Sequence, residues 1–167
     1  MSLVFYILLS FSFTSVSLNS VRDTYFDAEG KKEKIIELKS LTSAASVEKE
    51  PVMYGYNGVA TAMWAEFEFN PLSKLSTFKK GKEKLEKAIE KAPDNVELRF
   101  LRFSVQTKAP SIAGYNSNIK SDKTFIINNL SKAKSKTLSN NYCLKVVDFL
   151  LNSELCTEEE KKKLKSI

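Results

Sequence analysis

Histidine is absent from the 167 residues, which removes the commonest general base and the commonest neutral metal ligand together. Hydrolases built on a histidine-activated nucleophile are thereby excluded. Glycine and proline are scarce, at five and four residues, too few for a β-sandwich with its many tight turns. No stretch alternates apolar and polar residues for long enough to read as a half-buried strand. The sequence also lacks a nucleophile elbow, a phosphate-binding glycine loop, a dinucleotide fingerprint and a calcium loop. A pair of carboxylates acting as acid and base needs no histidine, but the acidic residues here fall mostly in Lys-Glu helical runs, where intrahelical pairing accounts for them. Neither a cofactor, a metal nor a catalytic residue is expected.

What remains is rich in Lys, Glu, Leu, Ala and Ser, a composition that favours helix. No linker or low-complexity stretch divides the chain, and its length suits one domain able to bury about two thirds of its unfolded surface. Residues Leu3 to Phe13 form an uncharged apolar run followed by small polar residues to Ser20. That length matches a signal-peptide core and falls short of a membrane span. The reading is a cleaved export signal over 1–20, with Ser15 and Ser17 satisfying the small-residue rule for cleavage, and a mature domain over 21–167 without a transmembrane span. A buried N-terminal helix and an uncleaved anchor are the other readings of the same run.

All charged residues follow Ser20, so the mature chain keeps the formal charge of +6. Its lysines are spread beside glutamates along helices rather than gathered with aromatics into a nucleic-acid patch. A solvated lysine-rich face is the plain reading. Anionic lipid headgroups or acidic glycans at an envelope surface are the specific partners such a charge favours over nucleic acid. Cys143 and Cys156 are the only cysteines, and their spacing matches no metal motif. In an exported chain they are either a disulfide or two small buried apolar residues.

The clearest local pattern runs from Asn70 to Arg102. Asn70 is suited to cap a helix whose first position is Pro71. Leu72, Leu75, Phe78, Leu85, Ala88, Ile89 and Ala92 then recur at helical spacing. Ala92-Pro93 stops that helix, and Asp94 with Glu97 reads as a capping box for the next. Gly81, in the midst of good helix formers, implies a closely packed neighbouring helix. The preceding segment, from Val52 to Phe69, is the most apolar after the leader and should be central. Its Gly55 and Gly58 offer a flat patch for a close backbone approach. Val21 to Ala28 reads as a short helical turn and Lys31 to Ser43 as an amphipathic helix. Ala109 to Lys120 is a loop, and helices follow near Ser121 to Ser135, Ser139 to Asn152 and beyond Thr157, which Glu160 completes as a capping box.

Gly81, Leu85, Ala88 and Pro93 match the small, bulky, small and proline positions in the second helix of a tetratricopeptide repeat, and the segment resembles that family. The resemblance covers one repeat, with Trp64 on the helix upstream. It implies an all-α, irregular helical-hairpin bundle, of about six to seven helices, serving binding or scaffolding more often than chemistry.

Candidate ligand residues are polar groups set among apolar ones. Arg99 and Arg102 interrupt Leu98 to Val105 and offer guanidinium forks for a carboxylate or phosphate. Tyr54, Asn57 and Glu66 lie on the central helix, and Tyr115, Asn116 and Lys120 on the irregular loop. Together they line a polar groove, or else Arg99 or Arg102 pairs with Glu66 or Glu97 to tie helices together. The leading expectation is an exported binding or scaffolding module for a protein, peptide or envelope component. The alternative is a small enzyme or enzyme accessory whose site comprises Tyr54, Glu66, Arg99, Arg102 and Tyr115.

Overall fold

A computed structural model describes residues 16–167. The apolar run of the expected signal lies outside the described residues. Every regular element among the described residues is helical: α1 (Leu18–Asp27), α2 (Lys32–Leu41), α3 (Pro51–Trp64), α4 (Pro71–Lys91), α5 (Val96–Lys108), α6 (Ile119–Lys134), α7 (Asn140–Asn152) and α8 (Glu158–Lys165), with single 3-10 turns at Ala65–Phe67 and Ser111–Ala113. The described residues therefore form an all-α bundle with eight helices, one or two more than expected. The addition is α1. Ser17 caps it by accepting a hydrogen bond from the Asn19 amide, so residues 18–20, assigned to the leader from sequence, form its first turn.

The capping chemistry of α4 and α8 follows the sequence. Asn70 accepts from the amides of Leu72 and Ser73, and Thr157 and Glu160 close a reciprocal capping box; each such cap is worth about 1 kcal/mol. At α5 the expectation fails. Asn95, not Asp94, caps the helix, accepting from the Leu98 amide at 3.0 Å. Glu97 is thereby free for another task.

Chain direction alternates through α1 to α5. The α1–α2 turn meets the end of α5 through the Glu29–Lys108 ion pair, and the α2–α3 loop meets the end of α4 through Glu48–Lys91. One end of the bundle thus carries the α1–α2 turn, the end of α3, the start of α4 and the end of α5. Helix α3 packs against α1, α2, α4 and α5. It shares the centre with α5, where every residue from Val96 to Gln106 except Arg99 is buried. Tyr56, Leu85, Leu98, Phe100, Phe103 and Ile126 are among the fully buried side chains.

The closest crossing is between α3 and α4. A Cβ built on Gly81 would lie 2.6 Å from the Gly58 carbonyl oxygen, and one on Gly58 would lie 2.8 Å from the Gly81 carbonyl oxygen and the Leu85 amide. These are backbone atoms, which cannot rotate aside as a side chain does. The glycines are therefore the contact surface of the hairpin, as their positions in the sequence suggested. Substitution Gly81→Ala, which would gain up to about 1 kcal/mol from helix propensity alone, is expected instead to destabilise by about 1–3 kcal/mol through overpacking. Urea unfolding would read the sign directly.

Candidate functional site

The polar residues singled out in the sequence do not converge on one groove. Arg102 spends its guanidinium on carboxylates: Nε and Nη2 donate to the two oxygens of Asp122 at 2.6 and 2.8 Å, and Nη1 donates to Glu86 at 2.8 Å. Arg99 donates from Nη1 to Asp122 at 3.0 Å and from Nε to the Pro93 carbonyl at 2.8 Å, with its guanidinium over the Phe125 ring. The buried Tyr115 hydroxyl donates to the other oxygen of Glu86. This cluster joins α4, α5, α6 and the loop before α6. Neither arginine fork faces an open groove, and their partners are Asp122 and Glu86 rather than Glu66 or Glu97.

A second cluster is centred on the buried carboxylate of Glu97. Glu97, 3% exposed, accepts from Arg22 Nε at 2.7 Å and Nη2 at 2.6 Å, and from the Tyr56 hydroxyl at 2.7 Å. Arg22 also reaches Asn19 and lies over the Tyr142 ring. Tyr142 places its hydroxyl 3.3 Å from that of Tyr56, and Tyr25 donates to Ser104 at 2.7 Å. The sequence pattern points to Glu97 as a cap residue or as a partner of Arg99 or Arg102, whereas its arginine is Arg22. The signal available was a carboxylate and an arginine inside otherwise apolar helical faces, which buried pairing explains.

The remaining candidates are dispersed. Tyr54 packs half-buried against the core. Asn57 donates to Thr42 at 3.1 Å and accepts from Lys84 at 2.6 Å. Glu66 is exposed in the 3-10 turn after α3, with only its carbonyl engaged, by Lys74. Asn116 and Lys120 are exposed. The five-residue enzymatic site of the alternative reading is therefore not assembled.

Cys143 and Cys156 are buried free thiols, the second of the two readings their spacing allowed. The Cys156 thiol donates to the Leu150 carbonyl at 3.6 Å.

Two surface pockets stand out, of about 200 Å³ between α6 and α8 and about 170 Å³ between α1 and α7. Both are below the roughly 300 Å³ at which ligand pockets begin. No group of three or more Cys, Asp or Glu suited to a metal occurs among the described residues.

One surface is not accounted for by internal pairing. At the end of the bundle where α3 finishes and α4 starts, Trp64 and Phe67 pair with ring centroids 5.8 Å apart, outside the contiguous core. Lys39 places its ammonium 4.9 Å from the Trp64 ring centre, and Lys32 lies 5.5 and 5.9 Å from the Trp64 and Phe67 rings. Lys32, Ile36 and Lys39 form one stripe of α2 at helical spacing, and Ile36 is 50% exposed. Phe69 is wholly exposed and Leu72 is 77% exposed. Phe69 occupies the position before the cap, where an apolar residue usually packs on the fourth residue of the helix. Here that residue is Lys74, so no staple forms. Among the described residues no carboxylate pairs with Lys32, Lys39, Lys74 or Lys84. Burial, followed by the charge of Lys39, lowers the pKa of the Lys84 ammonium.

Comparison with protein-family models, with curated proteins and with solved structures gives no match.

Two predictions follow from the buried clusters. Asp122→Asn removes a fully buried negative charge shared by two arginines and turns one of its two acceptor oxygens into a donor facing a guanidinium; it is expected to cost about 3–5 kcal/mol, measured by chemical unfolding. Burial is also the first cause raising the phenol pKa values of Tyr25, Tyr56, Tyr115 and Tyr142. A raised native value stabilises the fold below the free phenol value near 10 and loses that stabilisation as pH climbs above it. Phenolate absorbance from these four should therefore rise together with loss of helical circular dichroism. Ionisation of all four in a still-folded protein would contradict this.

Proposed function

We propose that the protein is a non-catalytic, tetratricopeptide-like binding or scaffolding module, exported by its apolar leader, that engages a macromolecular partner through the Trp64, Phe67, Phe69 and Leu72 end of the bundle. The observation carrying this reading is the contrast between interior and surface. The buried charges are paired with one another, whereas two large apolar side chains at one helix start are left in water. Burying each on association offers about 1.5–3 kcal/mol. The tetratricopeptide-like description is supported by the α3–α4 hairpin, with its Gly58–Gly81 crossing and the Pro93 stop. Export is supported by the length and composition of Leu3 to Phe13.

A photo-crosslinking side chain substituted at Phe69, irradiated in the producing cell, is expected to capture a specific macromolecule, whether protein or lipid. The same group at Leu144, which is also exposed but lies on α7, should capture none above background. Equal capture at the two positions would remove the basis for assigning recognition to this end.

A further inference from the structure

Resting on the assignment of recognition to this end of the bundle, the shape and charge of the surface point to its occupant. We propose that it docks onto an anionic bilayer surface, with Phe69 and Leu72 entering the boundary between headgroups and acyl chains and Lys32, Lys39 and Lys74 facing the headgroups.

Three observations carry this choice over an acidic protein or peptide. First, the exposed apolar groups sit at a tip rather than in a groove. Phe69 is wholly exposed immediately before the Asn70 cap, Leu72 follows it by three residues, and the two surface pockets described above lie elsewhere, between α6 and α8 and between α1 and α7. A bound peptide strand or helix needs a groove with pockets for alternate side chains; a protruding phenylalanine suits a deformable lipid layer. Second, Trp64 and Phe67 lie just behind the tip with lysine ammonium groups on their rings. Aromatic rings backed by lysines are the composition that settles at a membrane interface, whereas the buried centre of a protein interface is depleted in lysine. Third, the charge is complementary. Among the described residues Lys32, Lys39 and Lys74 have no carboxylate partner, and the full chain carries +6. Glu66 and Glu68 are the acids on the same turn. Glu68 is already bonded by Thr77, and Lys74 sits on the Glu66 carbonyl.

No helix among the described residues is long and apolar enough to cross a membrane, and the proposed contact is a peripheral one. Attachment of this kind draws on both apolar insertion and attraction to anionic lipid. Either component alone is weak.

Trp64 is the sole tryptophan of the chain, so its emission reports this surface and no other. The full chain is titrated with phosphatidylcholine vesicles containing phosphatidylglycerol and with phosphatidylcholine vesicles alone. The expected result is a blue shift of Trp64 emission with the anionic vesicles, quenching by brominated acyl chains, and reversal by salt. The paired substitution Phe69→Ser with Leu72→Ser should weaken the response at least about tenfold, and Lys32→Glu with Lys39→Glu by about as much. Circular dichroism and thermal unfolding should be unchanged in the first pair, because both side chains are exposed in the folded protein.

An absent shift overturns the proposal. So does an equal, salt-insensitive shift with neutral vesicles, or vesicle binding through the N-terminal apolar run that leaves Trp64 emission unmoved. A shift produced by a polyglutamate peptide but not by vesicles overturns it in favour of an acidic protein partner. Crosslinking from position 69 to protein alone would sink the bilayer inference and leave the binding-module reading standing; failure of both experiments would sink both.

Discussion

Glu97 and Asp122 lie inside the bundle only because arginines reach them from other helices. Arg22 of α1 closes on Glu97 of α5, and Arg99 and Arg102 of α5 close on Asp122 of α6. A charge removed from water without such a partner would cost several kcal/mol, and alternative helix arrangements that separated these pairs would incur that cost. The pairs therefore select one relative placement of α1, α5 and α6 among the many that would bury similar apolar area. Glu86 extends the same constraint to α4, and Tyr115 extends it to the loop before α6.

That arrangement has a consequence for recognition. Guanidinium forks are good ligands for phosphate or carboxylate, but here their donors are taken by the protein's own acids. Tyr56 and Tyr142 are similarly turned inward, their hydroxyls on Glu97 and on each other. An interior satisfied in this way supports rigidity. At the surface, the Trp64 to Leu72 end leaves Phe69 and Leu72 in water, which is the basis of the proposed recognition.

Much of the local structure was readable. The stop at Pro93, the Asn70 cap and the Thr157–Glu160 box depend on neighbours within four residues, so their physics is contained in the sequence. The close helix contact at Gly81 was also predictable, since a glycine amid strong helix formers needs a steric reason; its partner, Gly58 with Ala62, required three dimensions. The departures have two causes. The caps at Asn95 and Ser17 are local contacts, two or three residues long, and differ from the expected starts because adjacent Asp and Asn, or Ser and Asn, offer the same chemistry; the pairing of Arg99 and Arg102 with Asp122 and Glu86 is decided between segments 16 to 23 residues apart. Arg22 and Glu97 are 75 residues apart. The exposure of Phe69 was legible in principle, since a lysine four residues into α4 denies it a staple, but an apolar residue beside an apolar helix reads as buried until its surroundings are known.

The amino-acid order alone determined that this chain is helical, where most helices start and stop, and that histidine-dependent chemistry is closed to it, because propensity, capping and composition act locally or globally without reference to shape. The tertiary structure decided which polar residues are spent internally, that the two cysteines are buried free thiols, and which aromatic groups remain in water. Those outcomes depend on distances between segments remote in the chain, and pairing of charges or rings across helices has no signature in the spacing of either partner.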